Sequence, residues 1–396
     1  MDTLCLDVIF EIVQNLREDL PSLKACSFLS SPWFIASRPL LFHTVHLSAE
    51  TDDENAIAVA FYDKLQNLVK NYPYICSHIR RLVLRRDQRG ERRIVPNVQF
   101  GLTSPFMDLA PVVQALSQLP SLHTLSLVGI SCTMDPTVLC AKPCTSVRNL
   151  ALDSVYYFGD NFAYMSRLLS YFPNVADLEI RRCHGKYWQQ GALANVPASG
   201  AQLRSLTIMG SWPLIFWTNL AESSTRSLET LDVSLSWLVL SGAADLAGAL
   251  RRLLRCASDR LLNLRLDLHV EQKDLEESDR VVVPCSSLQT MTFRVSMDRT
   301  GMPSWLYFIN ALSQTSSPYL RRLVIALAGP DEYTTGELTP PWAEFQDACL
   351  ALPSLESVGF VELPGRYRQM KLSEATVRSN LAQLGKRCLL RVDLQH

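Results

Sequence analysis

The 396-residue sequence lacks three things that would place it quickly. It has no Cys-x-x-Cys pair, no apolar run near the ~18 residues that span a bilayer, and few charges, with Asp, Glu, Lys and Arg at 19%. Each absence excludes a class. The eleven cysteines are an odd number scattered from Cys5 to Cys388, which does not read as a secreted disulfide framework. Reduced thiols of the cytosol or nucleus fit better, and Asp2, Asp7 and Glu11 stand where a secretion signal would want a basic start. A net charge of -1 exerts no global pull on nucleic acid or anionic lipid, so neither nucleic acid nor a membrane is expected as a partner. There is no Gly-x-Ser-x-Gly elbow, Walker loop, Gly-x-Gly-x-x-Gly turn or His-Glu-x-x-His helix. Cys132, Cys140 and Cys144 fit no zinc template, and only Cys183-His184 follows. No catalytic residue, metal ligand or cofactor is expected.

Leucine is abundant instead, at 63 residues, and apolar residues reach 47%, enough to bury a large core. The leucines recur in order. An apolar residue, two others, an apolar residue, one other and a third apolar residue make a triplet that appears eleven times. The first five are Ile79/Leu82/Leu84, Leu122/Leu125/Leu127, Val147/Leu150/Leu152, Val175/Leu178/Ile180 and Leu203/Leu206/Ile208. Then come Leu228/Leu231/Val233, Leu261/Leu264/Leu266, Leu288/Met291/Phe293, Leu320/Leu323/Ile325, Leu355/Val358/Phe360 and Leu389/Val392/Leu394. The last two members of each triplet sit two apart and share one face of a short strand; the first turns the chain into it.

Between triplets the apolar spacing turns helical, as at Val112, Val113, Leu116 and Leu119, at Phe162, Met165, Leu168 and Leu169, and at Leu246, Leu250, Leu253 and Leu254. Further helices are predicted from Trp305 to Leu312, Trp342 to Leu350 and Val377 to Leu384. A strand alternating with a helix at a period near 30 predicts an α/β leucine-rich-repeat solenoid of about eleven irregular units over residues 79–396. Parallel strands would line its concave face and helices its convex one. Residues 48–78, with Ile57, Phe61, Leu65, Leu68 and Val69 in helical spacing, would link and cap it.

Residues 1–47 break the period. Leu4, Val8, Ile9, Ile12, Val13 and Leu16 form one helical stripe, Leu20, Leu23, Cys26 and Leu29 a second, and Ser31-Pro32-Trp33 opens a third that ends near Pro39. Phe42 to Leu47 is a candidate first strand that would join this segment rigidly to the repeats. On these residues, with Asp7, Asp19, Ser27, Ser30 and the run Ala36 to Phe42, the segment resembles an F-box. The whole chain resembles the F-box proteins with irregular leucine-rich repeats abundant in mushroom-forming fungi. It departs from them in opening with Leu4-Cys5 rather than Leu-Pro, and in carrying Ser31-Pro32 before Trp33.

The resemblance implies a non-catalytic substrate receptor of a cullin-RING ubiquitin ligase. The F-box would dock a Skp-type adaptor, and through it a cullin, while the repeats hold an unidentified protein substrate. It implies an adaptor interface at Leu4, Val8, Ile9, Leu16, Trp33, Pro39 and Leu41. Internal packing is the competing reading of each, since an apolar helical stripe buries itself by default. An interaction scaffold with a weakened F-box, acting outside the ligase, is the alternative function.

Residues alternating with the core leucines would line the substrate face: Ser126, Asp153, Glu179, Arg181, Thr207, Asp232, Arg265, Asp267, Thr292 and Arg294. A solvated strand face is the bland alternative for each. Two charge runs stand out: the arginines Arg80, Arg81, Arg85, Arg86, Arg89, Arg92 and Arg93, and the acidic residues from Glu271 to Asp279. Both read first as solvated loops.

Overall fold

The computed structural model describes residues 4–49, 54–86, 107–133, 142–157, 168–185, 202–209, 224–235, 243–268, 285–296, 302–315, 317–328, 339–363 and 372–393. The chain opens with α1 (Leu6–Asn15), α2 (Leu20–Ser27), α3 (Ser31–Leu41), β1 (Thr44–Ala49), α4 (Glu54–Asn71), α5 (Pro73–Cys76) and β2 (Arg81–Arg86). There follow β3 (Met107–Asp108), α6 (Ala110–Leu116), β4 (Thr124–Val128), β5 (Ser131–Thr133), β6 (Asn149–Asp153), β7 (Tyr156–Tyr157), β8 (Asp177–Arg181) and β9 (His184–Gly185). The rest comprises β10 (Ser205–Met209), β11 (Thr230–Leu235), α7 (Ala243–Ala257), β12 (Asn263–Leu268), β13 (Thr290–Ser296), α8 (Met302–Ser313) and β14 (Arg322–Ala328). It closes with α9 (Trp342–Leu350), β15 (Ser357–Glu362), α10 (Glu374–Asn380), α11 (Ala382–Arg387) and β16 (Leu389–Asp393).

Two compact units divide the chain, one of Met1–Val175 with Cys183–Ala201, the other of Ala176–Arg182 with Gln202–His396. Strands β1, β2, β4 and β6 of the first, and β8 and β10 to β16 of the second, follow one another in chain order. The paired registers are all parallel. Parallel neighbours need a crossover, and helices such as α6, α8 and α9 supply it. The pattern is α/β and compatible with a solenoid.

One backbone device repeats at nine strand entries. A single carbonyl accepts two amides of the next strand: His43 O from Arg80 and Arg81, Arg80 O from His123 and Thr124, His123 O from Arg148 and Asn149. The second unit does the same at Ala176, Arg204, Glu229, Leu262, Gln289 and Arg321. A second recurrence follows the strands of the first unit and β8. Gly129, Ser154 and Arg182 stand at φ 65°, 55° and 49°. Each left-handed corner turns the chain into a short strand, giving the ladder β3-β5-β7-β9. The next residue, Ile130, Val155 or Cys183, is buried. The Cys183 thiol donates to Leu152 O at 3.6 Å, tying its corner to the neighbouring strand.

All residues of the first ten triplets are buried, so the leucine pattern marks the core. In the second unit α8 and α9 close over it with aromatic rings. Trp305 meets Phe345 at 5.8 Å between centroids and 83° between planes, and Phe345 meets Phe360 at 6.0 Å and 73°, both edge-on as ring quadrupoles favour. The eleventh triplet is in a different register. Strand β16 pairs Leu390 with Val358 and Val392 with Phe360, so Leu390 and Val392 hold the core positions while Leu389 is 53% exposed. The triplet expected Val392 and Leu394 at those positions, so the strand is shifted by two residues along an apolar alternation at 390, 392 and 394.

The helix expectations hold at α4, α6, α7, α8, α9, α10 and α11. Of the Phe162 to Leu169 helix, Phe162 and Met165 lie outside the described residues, and Leu168 and Leu169 are helical and buried. Cys140, Arg89, Arg92, Arg93, Leu394 and the acidic run from Glu271 to Asp279 also lie outside them.

At the N-terminus, β1 spans residue 47 and pairs with β2 over six residues, Thr44 with Arg81 through Ala49 with Arg86. The Arg38 guanidinium lies 4.5 Å from the centre of the Phe34 ring and 4.3 Å from that of Tyr74, gripped between α3 and α5. The strand expected over residues 42–47 runs instead over Thr44–Ala49, and it and the Arg38 contact tie the N-terminal helices to the first unit.

The left-handed corners make a test. A serine at φ 55° carries the cost of a Cβ facing its own carbonyl, roughly 1 kcal/mol, which glycine lacks. Ser154→Gly is expected to raise stability by about 1 kcal/mol in urea unfolding, and Ser154→Val to lower it. No gain from glycine would show the corner to be unstrained.

Candidate functional site

Two surfaces stand out, one in each unit. The first lies on the N-terminal helices. Ile9 and Val13 of α1, Leu23 of α2 and Ala36 of α3 form a small core, with Phe10, Leu16, Trp33, Leu40 and Leu41 packed against it. The positions 9 and 13 are one helical turn apart and face inward. Val8 and Ile12 stand at the same spacing on the other side of α1, with Leu4 four residues earlier just ahead of the helix, and the three are exposed to 45%, 37% and 49%. Leu6, Leu20, Phe28, Leu29, Phe34 and Ile35 are exposed with it. Among the described residues, nine of the fourteen large apolar side chains that stand exposed lie between Leu4 and Ile35. A helix apolar on both sides is ordinarily covered on both.

The sequence-predicted adaptor residues divide accordingly. Leu4 and Val8 are on the outer stripe. Ile9 is 3% exposed and belongs to the core, because the inward stripe claims it. Leu16, Trp33 and Leu41 are half-buried against that core, and Pro39 is half-buried within α3. The additional members Leu6, Ile12, Leu20, Phe28, Phe34 and Ile35 were not singled out from sequence as contacts. The signal was present in α1 as two interleaved four-residue spacings.

The second surface is the sheet face of the second unit. Its core leucines point toward the helices, so the residues between them point away and align across strands. The registers give one row, Glu179, Thr207, Asp232, Arg265, Thr292, Val324, Gly359 and Arg391. A second row is Arg181, Met209, Ser234, Asp267, Arg294, Ala326, Val361 and Asp393. Eight of the ten sequence-predicted substrate residues therefore converge on five neighbouring strands. The other two lie in the first unit: Ser126, 6% exposed between Val83 and Ala151, and Asp153, whose carboxylate accepts the Ser154 hydroxyl at 3.0 Å.

Opposite charges face one another across this ladder. Arg294 Nη1 lies 3.0 Å from Asp267 Oδ2, and the Ser234 hydroxyl donates to the same oxygen at 2.7 Å. Arg265 Nη1 lies 3.7 Å from Asp232 Oδ2, while Arg181 pairs with Glu179 along its own strand β8. Asp232 Oδ1 is buried and accepts no hydrogen bond. Burial raises the Asp232 carboxyl above its usual range; Arg265 opposes the shift, and Asp267 and Glu179 add to it. Three arginines balance three carboxylates, so the cluster carries no net charge for an anion. Beyond it the face turns small and apolar at Val324, Ala326, Gly359 and Val361.

No protein-family model matches this chain, and no curated protein matches it.

Cys76, Cys144, Cys183, Cys285 and Cys349 are buried free thiols, and burial pushes Cys285 up to about 12, far from a nucleophile's range. Among the described residues no group of His, Cys, Asp and Glu could hold a metal ion, and no helix is long and apolar enough to cross a membrane. The aromatic group Trp212, Phe216 and Trp217 lies outside the described residues.

Asp232 supplies a pH test. Its folded value is raised, so ionising it costs stability as pH climbs from the usual 3.8 through that raised value, and the cost persists at neutral pH. Asp232→Asn removes it. The variant is expected to be the more stable at pH 7, with the difference vanishing below pH 3.8 in urea titrations at each pH. A less stable variant at pH 7 would show that the Arg265 pair outweighs burial.

Proposed function

We propose that the protein is a non-catalytic substrate receptor of a cullin-RING ubiquitin ligase. Its N-terminal helices dock a Skp-type adaptor, and through it a cullin, while the sheet face of the repeats holds the protein to be modified. The observation that carries this reading is the outward stripe Leu4, Val8 and Ile12, backed by the F-box-like pattern of the residues around it. A receptor acts by proximity, raising the effective concentration of the target lysine at the transferring enzyme. Proximity needs a stiff connection between the docking end and the holding end. Sharing β1 with the sheet gives the helices such a connection within their own unit. The mixed-charge rows of the second unit suit a folded protein or peptide better than a small molecule, because they offer paired charges and small side chains over several strands. The reading places the protein in the cytoplasm, the nucleus or both.

Binding of the purified full-length chain to its own organism's Skp-type adaptor tests it. Leu4→Asp with Val8→Asp places two charges on the exposed stripe and leaves the inner core alone, so it is expected to abolish binding while the circular dichroism melt stays unchanged. Ile9→Asp buries an unpaired charge and is expected to destabilise the three-helix core by about 3 kcal/mol or more. Absence of adaptor binding by the unaltered chain would reject the receptor reading and leave a repeat scaffold.

A further inference from the structure

The strand-entry row has opposite character in the two units. In the second unit its arginines are neutralised: Arg204 Nη2 lies 3.5 Å from Asp177 Oδ2, and Arg321 Nε lies 3.6 Å from Glu356 Oε1. In the first unit the same row reads His43, Arg80, His123 and Arg148, joined strand to strand by the shared entry carbonyls. The row beside it reads Thr44, Arg81, Thr124 and Asn149. Neither row contains a carboxylate. Arg80, Arg81, His123 and Arg148 are exposed, and among the described residues none of the three arginines makes an ion pair. Arg17, just beyond the end of α1, is exposed too and adds its charge from the helical side. Burial, then the charges of Arg17, Arg80 and Arg81, hold the His43 ring below its ordinary range. Like charges are gathered at one edge of a chain whose net charge is only -1.

We propose that this edge, built from Arg17, Arg80, Arg81, His123 and Arg148, is a docking ridge for an extended acidic segment of a partner protein. Geometry sets its size. Neighbouring strands lie about 4.8 Å apart, so the three steps from His43 to Arg148 span about 14 Å, the reach of about four extended residues. A segment with two or three carboxylates matches the unpaired guanidinium groups. A nucleic acid fits less well: the ridge is only two rows wide, and a sequence pI near 6.7 lacks the broad basic field that holds a polyanion. The ridge shares no residue with the apolar stripe or with the rows of the second unit, so it stands or falls apart from the receptor reading.

The test is fluorescence anisotropy of a labelled decaglutamate peptide titrated with the full-length protein at 50 and 300 mM sodium chloride. The unaltered chain is expected to bind at the lower salt and to weaken about tenfold at the higher, as screening of exposed charges requires. Arg80→Gln with Arg148→Gln is expected to weaken low-salt binding at least about tenfold, whereas Arg204→Gln with Arg321→Gln, which removes arginines already paired, leaves it unchanged. Failure of the unaltered chain to bind would overturn the proposal. So would an unchanged Kd in the first variant, an equal loss in the second, or tighter binding of a single-stranded oligonucleotide of the same charge.

Discussion

None of the repeats can bury its own leucines, and the structure follows from that constraint. A triplet such as Leu228, Leu231 and Val233 presents an apolar face that only neighbouring strands and an overlying helix remove from water. Hydrophobic burial of this kind has no direction of its own. The entry carbonyls supply the direction, since nine of them receive two amides each from the next strand and so set the register there. With register set, the residues between the leucines align into rows across the strands.

Much of this was legible in the residues. Ten triplets named the core correctly because two apolar residues two apart leave a short strand no other way to bury both. The eleventh misled, since Leu390, Val392 and Leu394 alternate alike and only pairing with Val358 and Phe360 fixes which two stand opposite them. The left-handed corners were invisible for a different reason. Glycine would have flagged Gly129, but serine and arginine at Ser154 and Arg182 carry no such signal, and the ladder holds them there. For the surfaces, alternation identified Glu179, Asp232, Arg265 and their neighbours as outward. It did not show that opposite charges would stand on adjacent strands, because the distance between repeats in sequence says nothing about register. The N-terminal helices were the harder case. Ile9 and Val8 are neighbours of equal apolarity, and the packing of α2 and α3 decides which of them turns inward.

The two units distribute polarity differently along equivalent positions. In the second, charges on the sheet face and at the strand entry find partners across the ladder, an arrangement that limits the desolvation cost of holding them close. In the first, the entry arginines stand alone and the apolar stripe of α1 is bare. A chain that tolerates unpaired charge and uncovered leucine in one region, while satisfying both elsewhere, concentrates its unspent interactions there.

Strand β1 has a consequence for how the protein can be divided. Parallel β2 is paired on one side by β1 and on the other by β4, so its backbone has no free edge. Cutting the chain after the third helix at residue 41 would spare β1, but cutting at about residue 50 to isolate the repeats would strip β2 and bare the N–H and C=O groups along Arg81–Arg86. Such an edge recruits another strand, and a truncated chain supplies it from a second copy of itself. The segment that looks like a separate module in sequence thus also supplies the strand that covers the edge of β2.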